Sequence, residues 1–344
     1  MKTRVGIIGC GSISEFRHAP EYAANPDAEI VAYFDPQIHR AEKLAGLYGG
    51  AVVKDYKEIM ENESIDAVSV CSTNETHHLF ATQALQSGKH VLLEKPMTIS
   101  LEDARQILDA RDKSGKILML AHNQRLAAAH QKAKAILQSG ELGRVITFKT
   151  TFGHKGPEYW SEVKNKSTWF FKKKNSAFGV AGDLGIHKID LISYLLDDDF
   201  TEVSSFMETL DKKGEDGSLI DVCDNMVCLL KTRKKVIGTL TVSWTYYGAE
   251  DNSTTLYCEK GVMKIYADPT YQIQVSHVDG QEVNYKVGRI QTNDEQSSSG
   301  VIDAFIDAIQ NNKAPLINGE DGYKGLQVVL ASIQSSETGK TIKI

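Results

Sequence analysis

Hydrophobic residues follow two different spacings along this chain, and the change comes near residue 121. Before it, short apolar runs alternate with segments in which apolar residues recur every three or four positions, the spacings of strands and amphipathic helices. Because strands separated by single helices form right-handed βαβ units, we predict a doubly wound parallel sheet. Its strands are expected at Arg4–Ile8, Ala28–Phe34, Ala51–Val53, Asp66–Cys71, His90–Glu94 and Ile117–Leu120.

After residue 121 the pattern becomes that of an α+β domain. A helix at Ala127–Ser139 precedes the β-branched run Arg144–Phe152, and alternation with a period of two dominates residues 200–287. Successive strands without intervening helices favour an open, predominantly antiparallel mixed sheet with helices on one face. The clearest strands are expected at Met226–Lys231, Val236–Trp244, Thr254–Cys258 and Val262–Tyr266.

Two domains are therefore expected, with boundaries at 1–121 and 122–344. The length of 344 residues suits two cores, at about 150 residues per domain. Helices at Gly300–Gln310 and Gly319–Glu337 close the chain, and the second of them can pack back on the first domain. The polar, Ser-rich residues 291–300 are expected to form a mobile loop.

Composition narrows the class of protein. Hydrophobic residues make up 41% and charged residues 24% of the chain, values typical of soluble globular proteins. The net charge of −6 argues against nucleic acid or an anionic membrane as a partner, and no stretch has the ~20 apolar residues of a membrane span. The five cysteines show no metal or redox spacing, so we expect no metal and a cytoplasmic location.

A glycine-rich turn follows the first strand directly. Gly9 and Gly11 fit a dinucleotide-binding fingerprint, the first for a tight turn and the second for close approach of the backbone to a pyrophosphate. Ser12 and Ile13 would open the helix whose N-terminus faces the phosphates. Ser14 occupies the third position, where glycine or alanine is usual, so the fingerprint alone is a weak signal for a Rossmann domain.

Asp35 strengthens the cofactor interpretation. It ends the second strand, where a carboxylate would bond both ribose hydroxyls of an adenosine. The same charge would repel a 2′-phosphate, so NAD is favoured over NADP, although Gln37, His39 and Arg40 follow closely. The alternative is that Asp35 only initiates a turn.

Short polar side chains also end the fourth strand. Ser72, Thr73, Asn74 and His77 could contact the nicotinamide ribose at this carboxyl edge of the sheet. Alternatively, Thr73 or Asn74 caps the next helix. Both interpretations can hold together.

Glu94-Lys95-Pro96 ends the fifth strand. Proline has no N–H for the ladder and keeps the preceding residue extended, so Lys95 lies at the edge where open α/β sheets bind ligands. Glu94 and Lys95 are therefore candidates for cofactor contact. An isolated Lys-Pro at a strand end is more often a surface lysine, so the neighbouring motifs decide between the two.

Asp183 and His187 are four residues apart, a spacing that places side chains on one face of a helix. The preceding residues 177–182 are mostly small, which suits a backbone that passes close to a ligand. From spacing alone, the simpler interpretation is an ordinary Asp–His helical pair in which Asp183 acts as a cap.

Taken together, these motifs resemble the Gfo/Idh/MocA family, which includes glucose–fructose oxidoreductase and inositol dehydrogenase. The matching marks are the glycine turn, Asp35, Thr73-Asn74 with His77, Glu94-Lys95-Pro96, Gly182–Asp190, Gly319–Gly322 and Thr338-Gly339-Lys340. They cover essentially the whole chain, and the Glu-Lys-Pro and Asp-x-x-x-His elements are specific in combination. Ser14 departs from the family pattern without affecting a catalytic role.

The resemblance implies that Lys95 from the first domain converges with Asp183 and His187 from the second over the nicotinamide. Oxidation of a secondary alcohol moves a hydride to nicotinamide C4 and a proton to a base. Since imidazole titrates near neutrality, we expect His187 to be the general acid/base and Lys95 to donate to the reacting oxygen. Asp183 would bond a substrate hydroxyl, keep Lys95 charged or set the His187 tautomer. Whether Lys95 or His187 takes the proton stays open.

Substrate contacts are expected from two places. Asn123 and Arg125 lie at the predicted domain junction, where the family commonly contacts substrate. His154, Trp160 and Trp169 follow the first strand of the second domain, and their rings would suit the C–H faces of a sugar or cyclitol. Buried aromatic anchoring is an equally good explanation for them.

We therefore predict an NAD(P)-dependent oxidoreductase that acts on a secondary hydroxyl of a sugar, sugar derivative or inositol. One alternative is a glycoside hydrolase in which bound NAD is reduced and reoxidised within one cycle, as in some family relatives. Another is a non-catalytic, cofactor-binding regulator, against which the intact Lys95, Asp183 and His187 argue. The resemblance further implies a homodimer or homotetramer that covers the open face of the second sheet.

Overall fold

The structure, a computed structural model, describes residues 1–288 and 298–344. The chain divides into two compact units. The first comprises Met1–Asn123 and Gln291–Leu326, and the second comprises Gln124–Ile290 and Gln327–Ile344. The loop predicted at 291–300 lies outside the described residues except for its last three positions.

A parallel sheet forms the centre of the first unit, as the sequence predicts. Its strands are β1 (Thr3–Ile8), β2 (Ala28–Phe34), β3 (Ala51–Val52), β4 (Ala67–Val70), β5 (His90–Leu93) and β6 (Leu118–Leu120). They are ordered β3-β2-β1-β4-β5-β6, with every neighbouring pair parallel. The strand order reverses between β1 and β4, and the carboxyl ends of strands at such a switch point are where doubly wound sheets bind ligands.

Helices connect these strands, and their ends follow local sequence signals. They are α1 (Ala19–Ala24), α2 (Ile38–Tyr48), α3 (Lys57–Glu61), α4 (His77–Gln86) and α5 (Leu101–Ser114). The predicted N-cap of α5 is confirmed, because Ser100 Oγ accepts the N–H of Asp103 at 3.1 Å. Gly115 ends the helix with φ +65°, a conformation that favours glycine.

The second unit is built on a mixed sheet, to which the described residues contribute nine strands. Its helices are α6 (Ala128–Ser139), α7 (Lys173–Ser176) and α8 (Ile186–Leu196). The strands are β7 (Val145–Gly153), β8 (Phe200–Glu208), β9 (Asn225–Thr232), β10 (Ile237–Ser243), β11 (Thr254–Cys258), β12 (Gly261–Ile265), β13 (Ile273–His277), β14 (Glu282–Tyr285) and β15 (Ile342–Lys343). The strand order is β14-β13-β12-β11-β7-β10-β9-β8-β15. β7 and β10 run parallel, and the other paired neighbours run antiparallel, which confirms the predicted predominantly antiparallel sheet.

One face of this sheet is covered and the other is open. In β9, Cys228 and Leu230 are buried, whereas the alternating Val227 and Leu229 are 49% and 62% exposed. Helix α8 packs against β7 and α6 packs against β12. Side chains of successive strand residues point to opposite faces, so the helices cover one face, as predicted.

Two helices follow the stretch that the structure leaves undescribed, α9 (Val301–Gln310) and α10 (Gly319–Thr338). α9 packs on α1 and β1 within the first unit. The start of α10 belongs to that unit too, where a Cβ at Gly319 would lie 2.5 Å from Leu108 Cδ2. The rest of α10 belongs to the second unit, where Ser335 Oγ accepts the N–H of Ser205 at 3.0 Å. None of the described helices combines the length and the apolar composition of a membrane-spanning segment.

Candidate active site

The turn after β1 has the backbone geometry that a dinucleotide requires. Gly9 has φ +89°, and a Cβ there would lie 2.6 Å from the carbonyl of Cys71, so only glycine fits. At Gly11 a Cβ would meet nothing within 4 Å, so the backbone faces open space. These are the two roles that glycines play beside a pyrophosphate, and this turn fits NAD.

Ser14 secures the start of the following helix to this turn. The side chain is fully buried, and its hydroxyl donates to the carbonyl oxygen of Gly9 at 2.5 Å. It begins a π-helical segment, Ser14–His18, that leads into α1. A small hydroxyl therefore makes the close helix–strand contact at the third fingerprint position.

Asp35 makes the local turn that was predicted as the alternative, and it also contacts the glycine turn. Its Oδ1 accepts the N–H of Gln37 at 2.8 Å, which makes a local turn. Its Oδ2 accepts the N–H of Cys10 at 2.8 Å and braces the glycine turn. A carboxylate oxygen can accept more than one hydrogen bond, so the contact of Asp35 with the adenosine ribose stays a prediction.

The ends of β4 and β5 are joined by His77. Its ring is fully buried, with Nδ1 2.8 Å from the carbonyl oxygen of Pro96 and Nε2 3.1 Å from that of Ser72. Burial lowers the pKa of His77 and outweighs these backbone contacts, so the neutral ring donates to one of the two carbonyls. Thr73 precedes the short 3₁₀ turn Asn74–Thr76 but makes no side-chain cap bond. The cofactor contacts predicted for Ser72, Thr73, Asn74 and His77 remain predictions.

Glu94 links Lys95 to two buried cations that the sequence interpretation missed. Its carboxylate lies 2.9 Å from His18 Nε2 and 3.7 Å from the Arg17 guanidinium. It also accepts the backbone N–H of Lys95 at 3.1 Å. Burial opposes the ionisation of Glu94, but His18, Arg17 and Lys95 outweigh it and lower its pKa to about 2. Glu94 is therefore ionised at neutral pH. The Lys95–Pro96 peptide is cis.

Asp183 and His187 lie on a wider turn than the predicted α-helix. Asp183 belongs to the π-helical segment Ala181–Gly185, and His187 to the first turn of α8. No side-chain cap bond forms at the start of this segment. Instead Asp183 Oδ2 accepts the indole N–H of Trp244 at 3.1 Å, with both side chains buried. The alternative in which Asp183 is a helix cap is therefore wrong.

Aromatic rings connect the two ends of this turn within the second unit. The series of ring contacts, which we call the aromatic arc, runs in order through His187, Phe152, His154, Trp160, Phe170 and Trp244, with neighbouring centroids 5.0–6.4 Å apart. Trp169 stacks on Phe170 at 3.9 Å. The structure thus brings the predicted His154, Trp160 and Trp169 together with His187, while Trp244 closes the arc on Asp183. Such rings offer an apolar wall with polar groups at its edges.

Arg125 lies in a different environment. Its Nε and Nη2 donate to Oδ2 and Oδ1 of Asp190 at 2.8 and 2.6 Å, a buried bidentate pair with α8. Asp190 is 65 residues from Arg125 in sequence, so no local spacing indicates this partner. Asn123 opens the 3₁₀ turn Asn123–Leu126 and is assigned to the first unit. The substrate contacts of Asn123 and Arg125 remain predictions.

Lys188, next to His187, is a fully buried lysine that nothing in the hydrophobic pattern indicates. Its ammonium donates to the carbonyl oxygen of Asn252 at 2.9 Å and lies 5.8 Å from the centroid of Phe152 in the aromatic arc. Burial lowers the pKa of Lys188 to about 7, although Asp251 and Glu250 oppose that shift.

We expect Lys188→Met to stabilise the protein at low pH. In the folded chain Lys188 is a buried cation only below about pH 7, and burying that charge costs free energy. In the unfolded chain the same side chain stays protonated up to about pH 10.5. The unfolded state therefore binds more protons between these values, and stability rises with pH across them. The substitution should raise Tm by about 2–5 °C at pH 6, and this gain should shrink towards pH 10.

Thermal unfolding of the Lys188→Met variant and the wild type at pH 6 and pH 10 checks this expectation, with Lys113→Met, at an exposed position of α5, as the control. A gain of equal size at both pH values, or a loss of stability at pH 6, would contradict it.

Comparison with known proteins gives the same family for both parts of the chain. Residues 3–122 match the model of an oxidoreductase family with an NAD-binding Rossmann fold, and residues 130–264 match the GFO/IDH/MocA C-terminal domain. The D-glucoside 3-dehydrogenase of Escherichia coli (strain K12) is 27% identical and covers 99% of this chain and 97% of its own length. The myo-inositol 2-dehydrogenase of Thermotoga maritima is 25% identical and covers 99% of this chain and 98% of its own length.

Solved structures show the same fold. A structure of levoglucosan dehydrogenase in complex with NADH and levoglucosan superposes with a TM-score of 0.88 over 100% of both chains, at 21% sequence identity.

Proposed function

Because this chain belongs to the Gfo/Idh/MocA family of oxidoreductases, we propose that it oxidises a secondary hydroxyl of a sugar, sugar derivative or inositol with NAD. The observation that carries the proposal is the aromatic arc, which has the imidazole of His187 at one end and the carboxylate of Asp183 at the other. An apolar wall flanked by a base and a hydrogen-bond acceptor suits the C–H face and the hydroxyls of a pyranose or cyclitol.

In this proposal three side chains have separate roles in the reaction. Bound NAD supplies the acceptor for the hydride. His187 takes the proton of the reacting hydroxyl, and Lys95 donates to the same oxygen and stabilises the negative charge that develops there. Asp183, oriented by the Trp244 indole, accepts a hydrogen bond from a neighbouring substrate hydroxyl.

NAD is the proposed cofactor in preference to NADP. The Asp35 carboxylate ends β2 and would repel a 2′-phosphate at the adenosine ribose. We further propose that Ser12, Ile13, Ser72, Thr73, Asn74, His77, Glu94 and Lys95 line the cofactor site with Gly9 and Gly11. The hydrolase and regulator alternatives are not favoured, because the two relatives compared above are both dehydrogenases.

A substrate screen tests this function. Methyl α-D-glucopyranoside, D-glucose 6-phosphate, levoglucosan and myo-inositol are each incubated with the enzyme and either NAD or NADP, and NADH or NADPH absorbance is followed. We expect at least one compound to give turnover, with kcat/KM for NAD about tenfold or more above that for NADP, since like charges placed side by side cost several kcal/mol and about 1.4 kcal/mol is tenfold. Turnover with neither cofactor would contradict the proposal, and sugar release without NADH would support the hydrolase.

A second copy of the chain is the proposed partner. The open face of the second sheet carries five exposed apolar side chains, Phe206, Val227, Leu229, Ile237 and Tyr257. Contiguous apolar patches of this kind mark interfaces, and the interspersed Lys231 pairs with Glu202 at 2.8 Å within the same face. A homodimer or homotetramer formed here would sediment as such at micromolar concentration, and a purely monomeric protein would contradict this.

The five free thiols fit the cytoplasm that we propose.

A further inference from the structure

A series of buried hydrogen bonds in the first unit leads from α1 to the strand end that carries Lys95. The Tyr22 hydroxyl lies 3.3 Å from Ser69 Oγ, which in turn lies 2.8 Å from His18 Nδ1. His18 Nε2 is 2.9 Å from Glu94 Oε1, and Glu94 Oε2 accepts the backbone N–H of Lys95 at 3.1 Å. His18 is therefore the central member of a series that crosses from α1 through β4 to β5.

This network is costly to bury. Tyr22, His18 and Ser69 are 0% exposed and Glu94 is 5% exposed. A buried ion pair seldom stabilises a fold more than well-packed apolar residues would, so stability alone is a weak explanation for its presence. Its last bond ends on the backbone of the lysine that the proposed function places at the reacting oxygen.

The segment that carries His18 also holds the cofactor turn. Ser14–His18 is π-helical, a geometry found often at functional sites. Ser14, at its start, donates to the carbonyl of Gly9, and His18, at its end, contacts Glu94. One short segment therefore fixes the turn that faces the pyrophosphate and the strand end that carries Lys95.

We propose that His18 is a positioning residue for the oxidation: it holds the Glu94 carboxylate, and through it the backbone of Lys95, in the orientation that the reaction requires. The inference rests on the proposed catalytic role of Lys95. Without the imidazole, Glu94 keeps the more distant Arg17 at 3.7 Å, and the Lys95 backbone loses its fixed acceptor. Chemistry should suffer more than cofactor binding, because a misplacement of about 1 Å near a reacting atom can cost about a hundredfold in rate.

The test compares variants that keep or lose the contact to Glu94. His18→Leu should lower kcat by about 30–100-fold on the best substrate of the four screened compounds, while the Kd of NADH changes less than about threefold. His18→Gln, whose amide can still donate to Glu94, should recover most of that loss. Should His18→Leu fail to purify, His18→Asn, whose shorter amide loses the contact, gives the same comparison. His90→Leu, at the opposite end of β5, is the matched control and should keep wild-type kcat.

A double-mutant cycle with Lys95→Met shows whether His18 acts through the lysine. We expect His18→Leu to cause no further loss of kcat in the Lys95→Met background, since residues that act as a unit are not additive. Independent, multiplying losses would overturn the inference, as would wild-type kcat in His18→Leu. If Lys95→Met itself kept wild-type kcat, the proposed role of Lys95 would fail and the inference with it. If kcat fell in Lys95→Met but not in His18→Leu, the inference about His18 would be overturned while the proposed role of Lys95 would stand.

Discussion

Replacing Lys95 with alanine should lower kcat by about 10³–10⁴-fold, because the variant loses the side chain that we propose as the donor to the reacting oxygen. The backbone of this residue is held by Glu94, whose carboxylate is itself fixed by His18. Removing the side chain therefore leaves the strand end in place. NAD affinity should stay within about threefold of the wild type, since an interaction made mainly in the transition state affects rate rather than binding.

Steady-state kcat from NADH absorbance and Kd from NADH fluorescence measure the two quantities separately. The exposed Lys113→Ala on α5 is the matched control and should behave as wild type. If Lys95→Ala lost NAD binding while the few complexes that formed reacted at the normal rate, the lysine would serve the cofactor and its proposed role would be wrong.

Replacing His187 with asparagine should lower kcat by about 10²–10⁴-fold through loss of the proposed general base. The ring lies against Phe152 at the end of the aromatic arc, in the first turn of α8, so a smaller amide should leave the helix intact. The acid limb of the kcat/KM profile should disappear together with the imidazole, because the group whose protonation produces that limb is then absent.

This pH profile also decides which group takes the proton. If the acid limb persisted in His187→Asn, Lys95 would be the base and His187 a hydrogen-bonding residue. The matched control is His277→Asn at the end of β13 in the same unit, which should change neither kcat nor the profile.

Local sequence patterns predicted the parallel sheet of the first unit almost completely, but the boundaries 1–121 and 122–344 placed α9 in the second domain, whereas it packs on α1 and β1 of the first unit. Its strands are short runs buried on both faces, such as Val91–Leu93 in β5, and such runs are recognisable without knowledge of the fold. The turn at Gly9 was equally predictable, because the glycine follows the first strand directly in the sequence. The structure explains the need for glycine there by a positive φ beside a close backbone contact. Both depend on residues near each other in sequence.

The site in the second unit could be predicted only in part, because long-range contacts build it. Asp183 and His187 stood out by their spacing, but the partner of Asp183 is Trp244, 61 residues away. Phe152 and Phe170 join the aromatic arc from a strand and from a 3₁₀ turn that share no sequence signal. The π-helical turns at Ser14–His18 and Ala181–Gly185 were also missed, because they interrupt an otherwise helical spacing.

The sequence patterns also did not indicate which ionisable side chains are buried. A lysine or histidine in a helical pattern is usually placed at the surface, yet Lys188 and His18 are both 0% exposed. Their burial depends on partners from other elements, the carbonyl of Asn252 and the carboxylate of Glu94. No periodicity along one segment carries that information.

Deuterium transfer tests the central claim most directly, that this chain moves a hydride from a secondary hydroxyl carbon of a sugar or inositol to NAD. The four screened compounds, each with deuterium at every ring carbon, are incubated with the enzyme and NAD, and the mass of the NADH is determined. The account predicts NADH that is one mass unit heavier with at least one of them. Unlabelled NADH, or consumption of a labelled compound without any NADH, would contradict it.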